Sequence, residues 1–149
     1  MSTAANIAFE HKDGSVTVTY IHFDGYEDNV GAKLYWDYNS ANKAERLAYI
    51  GYADSLEDTL NETIIDRTND TPPKKFSSFT SYIASEDFNG AQFLYVWRTG
   101  KQTEKCMKNM WMVCNVALIR FQPFGQVSHC LGESADSYFE SVGLALGIR

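Results

Sequence analysis

The run Ser15-Val16-Thr17-Val18-Thr19-Tyr20-Ile21-His22 constrains this chain more than any other stretch. From Val16 to Ile21 every residue is β-branched or aromatic, a composition that suits a pleated strand better than a helix. Alternation puts Val16, Val18, Tyr20 and His22 on one face and Thr17, Thr19 and Ile21 on the other. Lys12-Asp13-Gly14 just before it is a turn signal, so residues 5–10 and 15–22 are expected to form a β-hairpin with one face more apolar. Two later runs, Gln92–Arg98 and Met110–Val116, are strands of the same aromatic kind. A chain with these runs must build a sheet and then cover it.

The cover is expected from three helices. Asp28 or Asn29 caps a helix over about residues 30–38, on which Val30, Leu34 and Tyr38 share a face. Ser40 is the N-cap of a second helix over about 41–50, with Ala44, Leu47 and Ala48 as its apolar stripe and Gly51 as its C′ residue. So short a connection makes the two helices neighbours in space. A third helix over about 135–146 follows Ser134 and buries Tyr138, Val142 and Ala145. Ser55–Leu60 is expected to add a short helical turn, and residues 66–75, ending in Thr71-Pro72-Pro73-Lys74-Lys75, to form a loop. Phe76–Ile83 is expected as a further strand, followed by a polar turn at Ser85–Gly90. A basic turn containing Gly100 joins the two aromatic strands, and residues 117–122 continue the second or form another.

Strands and helices are segregated along the chain. That pattern predicts an α+β fold: an antiparallel sheet of about five to six strands with an N-terminal helix pair and a C-terminal helix packed on it. At 149 residues, a single globular domain over 1–149 is the expectation. Aromatic residues make up 14% of the chain, enough to fill a dense core from few side chains.

The net charge of −6 argues against general nucleic-acid binding, which needs excess Lys and Arg to neutralise phosphates. It is divided unevenly: residues 1–70 hold 13 acidic and five basic groups, residues 71–149 six and eight. Such a division suits head-to-tail association into a homo-oligomer or steering of a charged partner. No apolar run reaches the length of a membrane span, and no basic-then-apolar leader opens the chain. Cys106, Cys114 and Cys130 contain no Cys-x-x-Cys pair, as expected of reduced thiols in a cytosol.

Catalytic motifs are missing: there is no phosphate-binding Gly loop, nucleophile elbow or zinc helix. His11, beside a turn, is expected at the surface. His129 and Cys130 make a poor metal clamp, because adjacent strand residues point to opposite faces, so no metal and no cofactor is assigned. The sharpest local feature is Ile21-His22-Phe23-Asp24-Gly25-Tyr26, which ends a strand and presents an imidazole, a carboxylate and a phenol around a glycine. Strand-end loops are common mounts for function. Two arrangements are open to it: Asp24 orients the His22 ring as an acid–base partner, or Asp24 caps the turn while His22 and Tyr26 pack inward.

This segment, followed by Gly31, a helix, Tyr38-Asn39, Lys43, Leu47 and the stretch Gly51–Leu56, resembles a family of small uncharacterised proteins encoded mainly by tailed bacteriophages. The family pattern is a strand ending in a His/Cys-Trp-Asp-Gly-Tyr-Pro-like run, a nearby Gly, a helix and a Gly-Asp-x-Ser-Ser-Leu-like close. Residues 91–98 and 109–113 are similar to its later part. The chain departs from the pattern at Phe23 in place of Trp, at Glu27 in place of Pro, and over residues 66–90. The resemblance implies a viral context in a host cytoplasm and no particular reaction.

The expected function is therefore a phage-encoded accessory protein that binds a host protein and inhibits or redirects it, a binder rather than an enzyme. Its contact surface is expected around Asp24, Gly25 and Tyr26 and on the helix face bearing Tyr35 and Trp36. The rival from another class is a small-ligand or nucleotide site, sponge or hydrolase, in a cleft of His22, Asp24, Tyr26 and Arg98. A virion structural component is the third.

Overall fold

The computed structural model describes residues 3–98, 111–116 and 129–130. Strands β1 (Ala5–Glu10) and β2 (Val16–Ile21) form the expected hairpin, with Ala5 opposite Ile21 and Glu10 opposite Val16. All six residues of β1 are buried, so it has neighbours on both edges and cover on both faces. Its second neighbour is β5 (Phe93–Arg98), paired in parallel from Ala5–Phe93 to Glu10–Arg98. Strand β6 (Trp111–Asn115) adds antiparallel to β5, and the two-residue β7 (His129–Cys130) adds antiparallel to β6.

The outer edge of β2 is shared by two short strands. β3 (Tyr52–Ala53) pairs in parallel with Tyr20 and Ile21, while β4 (Lys74–Phe76) pairs antiparallel with Val16 to Val18. The expected antiparallel sheet is thus corrected to a mixed one, with two parallel pairings. The cause is that β1 is central: the hairpin fills one of its edges, and the other is filled by a strand that returns from far along the chain.

A π-helical turn, Glu27–Gly31, runs into α1 (Ala32–Asp37), and α2 (Ala41–Ala48) follows at once. Val30, Leu34, Tyr38, Ala44 and Leu47 pack in one cluster with Ile7, Ile21, Tyr95 and Trp111, on one face of the sheet. Ser40 caps α2 as expected, accepting a hydrogen bond from the Lys43 N–H at 3.3 Å. The end of α2 is tied down by Thr19, buried in β2, whose hydroxyl donates to the carbonyls of Ala48 (2.6 Å) and Leu47 (3.1 Å). Those carbonyls lie in the last turn, where the regular helical donors run out; the Leu47 carbonyl also accepts from the Ile50 N–H at 3.3 Å.

The other face is covered by α4 (Phe79–Ser85), whose Phe79, Tyr82 and Ile83 pack with Ala8, Val18, Leu94 and Val96. This overturns the expected strand over Phe76–Ile83: only Phe76 belongs to a strand. Phe79, Tyr82 and Ile83 stand at helical spacing, and Ser78 caps the helix that they form. The expected helical turn at Ser55–Leu60 is likewise displaced, to α3 (Leu60–Ile65), capped by Thr59. The expected 66–75 loop ends earlier, since Lys74 and Lys75 enter β4.

His11 is also not a plain surface residue. Its Nε2 lies 2.8 Å from the Thr17 hydroxyl and its Nδ1 3.5 Å from Glu45, with the ring against Phe9 and Tyr49. The expected helix over 135–146, the basic turn at Gly100 and the segment 117–122 lie outside the described residues. Among the described residues no helix is long and apolar enough to cross a membrane.

Candidate functional site

The segment following β2 is fastened rather than loose. The Phe23 N–H donates to the Asp54 carbonyl (2.8 Å) and the Gly25 N–H to the Thr3 carbonyl (2.8 Å). The Tyr95 hydroxyl reaches up from β5 to the Gly25 carbonyl (2.8 Å). Gly25 is buried, and its Cα lies against Ala4 and Ala5. Between these ties Asp24 adopts a left-handed backbone (φ 58°), a conformation that Asp tolerates better than most residues.

The result displays Phe23 and Tyr26, 42% and 39% exposed, on either side of Asp24. The Tyr26 hydroxyl donates to Asp24 Oδ1 at 3.2 Å, and that carboxylate raises the phenol pKa above its ordinary value. His22 does not face Asp24. Its Nδ1 is 3.2 Å from the Tyr20 hydroxyl, and its ring packs edge-on against Phe23 at 4.3 Å. Of the two arrangements that the sequence left open, the acid–base pair is not formed, and the inward packing is not found either, since Tyr26 stays exposed and donates to the Asp24 carboxylate at the left-handed turn.

Tyr35 and Trp36 lie nine and ten residues beyond Tyr26, in α1, half-buried against the core and edge-to-face with each other at 5.0 Å. Arg98 is elsewhere. It sits at the opposite end of β1 and β5, its guanidinium 3.3 and 3.4 Å from the Glu10 carboxylate and 3.9 Å from the Phe79 ring centre. Five strand residues at about 3.3 Å each separate that end from Gly25. A cleft of His22, Asp24, Tyr26 and Arg98 therefore does not exist, because the strands that carry these residues hold Arg98 at the far edge.

Sequence reasoning missed the groups that do surround His22. Tyr20 and Tyr52 stack across the β2–β3 pair with ring centres 6.0 Å apart. The Tyr52 hydroxyl donates to Asp54 Oδ1 at 2.7 Å and the Thr68 hydroxyl to the same oxygen at 2.9 Å. The Tyr52 bond is the main reason that the Asp54 carboxyl is held below its ordinary pKa, and it pushes the Tyr52 phenol up. Behind this pair, at the seam where β3 gives way to β4 along β2, a cavity of about 180 Å³ opens over Asn6, Val18 and Tyr20. Its residues come from distant parts of the chain, and the one usable signal was the Tyr20/His22 alternation.

No family model, curated protein or solved structure matches the chain. Its site must accordingly be read from its own chemistry. Among the described residues no three His, Cys, Asp or Glu side chains are grouped to hold a metal ion. Two features remain: an exposed aromatic loop with an acidic margin, and the cavity beneath Tyr20 and Tyr52.

Proposed function

We propose that this chain is a phage-encoded accessory protein that binds a host protein in the host cytoplasm and inhibits or redirects it. The observation that carries the reading is the fastened Phe23–Tyr26 loop. Two large aromatic side chains are exposed on a backbone held at three points. Such a surface loses little conformational freedom on binding, so most of the contact area contributes to affinity. Asp24 and Asp28, both exposed, border it and match a basic patch on the partner. Tyr35 and Trp36, partly buried against the core in the helix that follows, offer less free contact area. The phage-like Asp24-Gly25-Tyr26 motif lies in this same loop, which supports the host-directed context. In this reading a helix over about 135–146 completes the cover of the sheet.

The test is capture of host proteins on the immobilised chain, comparing wild type with Phe23→Ala, Tyr26→Ala and the control Ile65→Ala, whose side chain is 77% exposed elsewhere. One host protein should be retained in stoichiometric amount by wild type and by the control. Each loop variant should weaken it by about 30-fold, the scale of a hot-spot residue. Equal retention by all four proteins, or presence of the chain only in purified virions, would overturn the reading.

A further inference from the structure

The cavity at the seam between β3 and β4 is a different place from the loop, and its walls have a definite chemistry. Tyr20 and Tyr52, whose rings stack on each other with centres 6.0 Å apart, line one side. Asn6, 3% exposed, forms the floor. Its Nδ2 donates to the Phe88 carbonyl (3.3 Å) and the Tyr82 hydroxyl (3.1 Å). A carbonyl can only accept, so this fixes which way the amide is turned. The Asn6 Oδ1 then has no protein donor among the described residues and belongs to the cavity wall.

On the roof, Asn69 Oδ1 is occupied by the Thr71 N–H (3.1 Å) and hydroxyl (2.7 Å), which leaves the Asn69 amide N–H groups for a guest. A buried acceptor below and an amide donor above are the groups that recognise the edge of a nucleobase. The aromatic wall suits its face.

Charge and size narrow the guest. The one cation among the described lining residues, Lys74, is 2.8 Å from Asp87, which cancels its charge and leaves the lining with no net positive charge for a phosphate. About 180 Å³ falls below the roughly 300–1,000 Å³ of sites for drug-sized ligands and accommodates a single ring system.

We infer that this cavity binds an uncharged nucleobase, free or carried by a nucleoside whose sugar lies outside it, placed against Tyr20 and Tyr52 and held at its edge by Asn6 and Asn69. The site is independent of the Phe23–Tyr26 loop and goes beyond the host-protein reading.

Calorimetric titration of the whole chain with adenine, cytosine, guanosine and uridine, with adenosine and adenosine monophosphate, and with inorganic phosphate and glucose, tests it. One base or nucleoside should bind saturably, and no monophosphate or phosphate should bind more tightly. Tyr52→Ala, at a half-exposed position, should weaken that binding about tenfold or more, the scale of one lost stacking partner. Asn6→Leu should do the same where its circular dichroism remains that of the folded protein, and if it does not fold, Tyr52→Ala alone decides. Tyr26→Ala should leave the affinity unchanged. Absence of heat with every base and nucleoside would overturn the inference. So would preference for the phosphorylated ligand or for glucose, or undiminished binding by folded Tyr52→Ala.

Discussion

A methyl group added at Gly25 would come within 2.7 Å of the Ala5 Cβ and 2.8 Å of the Ala4 carbonyl carbon and the Ala5 nitrogen. Two of those three atoms are backbone at the start of the central strand and cannot step aside. Gly25→Ala is therefore expected to destabilise the fold by about 1–3 kcal/mol, the range of an overpacked core, seen as a lower urea midpoint at unchanged slope. Phe23→Ala and Tyr26→Ala, whose side chains are substantially exposed, should stay within about 0.5 kcal/mol of wild type in the same measurement. A wild-type midpoint for Gly25→Ala would mean that the loop is not fastened to β1. Gly25 therefore serves the loop by close packing rather than by contact with a partner. The Asp-Gly pair announced a turn, yet the left-handed residue is Asp24, and nothing local in the sequence shows that Gly25 must lie against Ala5.

At the level of elements, α4 separates what local pattern can and cannot settle. The segment Phe76–Ile83 carries Phe76, Phe79, Tyr82 and Ile83, whose spacing suits a helix but over so short a length does not by itself exclude a strand. What decides for helix is the start signal. The Ser78 hydroxyl accepts from the Ser81 N–H at 3.0 Å, and the Ser81 hydroxyl accepts from the Ser78 N–H at 3.2 Å, a reciprocal cap built with Ser in place of the usual Glu. Ser78→Ala should cost about 1 kcal/mol in chemical denaturation, and no change would mean that packing alone holds the helix. Elements whose signals are strong and local were legible: the β1–β2 hairpin, the aromatic strands β5 and β6, and α2 with its Ser40 cap. The cavity was not, because Asn6, Tyr20, Tyr52 and Asn69 meet only once β3 and β4 divide the edge of β2 between them. Position along a strand gave no hint that Arg98 would stand at the far end from Gly25.

Across the whole molecule, the Glu10–Arg98 pair closes the far end of the parallel β1–β5 ladder and, through the Phe79 ring, ties α4 to it. Glu10 is 5% exposed, so removing its partner leaves a carboxylate with little water. Arg98→Met should cost about 2–3 kcal/mol, discounted for the partial exposure of the guanidinium. Glu10→Leu combined with Arg98→Met should recover much of that loss in a double-mutant cycle. Strict additivity would show that the two side chains are not coupled. Neither change should affect partner capture, since the pair is remote from Phe23 and Tyr26. The same pairing has a consequence during synthesis. Arg98 lies 88 residues beyond Glu10, so the strand at the centre of the finished sheet leaves the ribosome long before its parallel neighbour exists. At roughly 5–20 residues per second, one edge of β1 waits on the order of 4–18 s for β5. During that interval the nascent hairpin carries an unpaired, apolar edge, the kind of surface that recruits chaperones or a second unfinished copy of the chain.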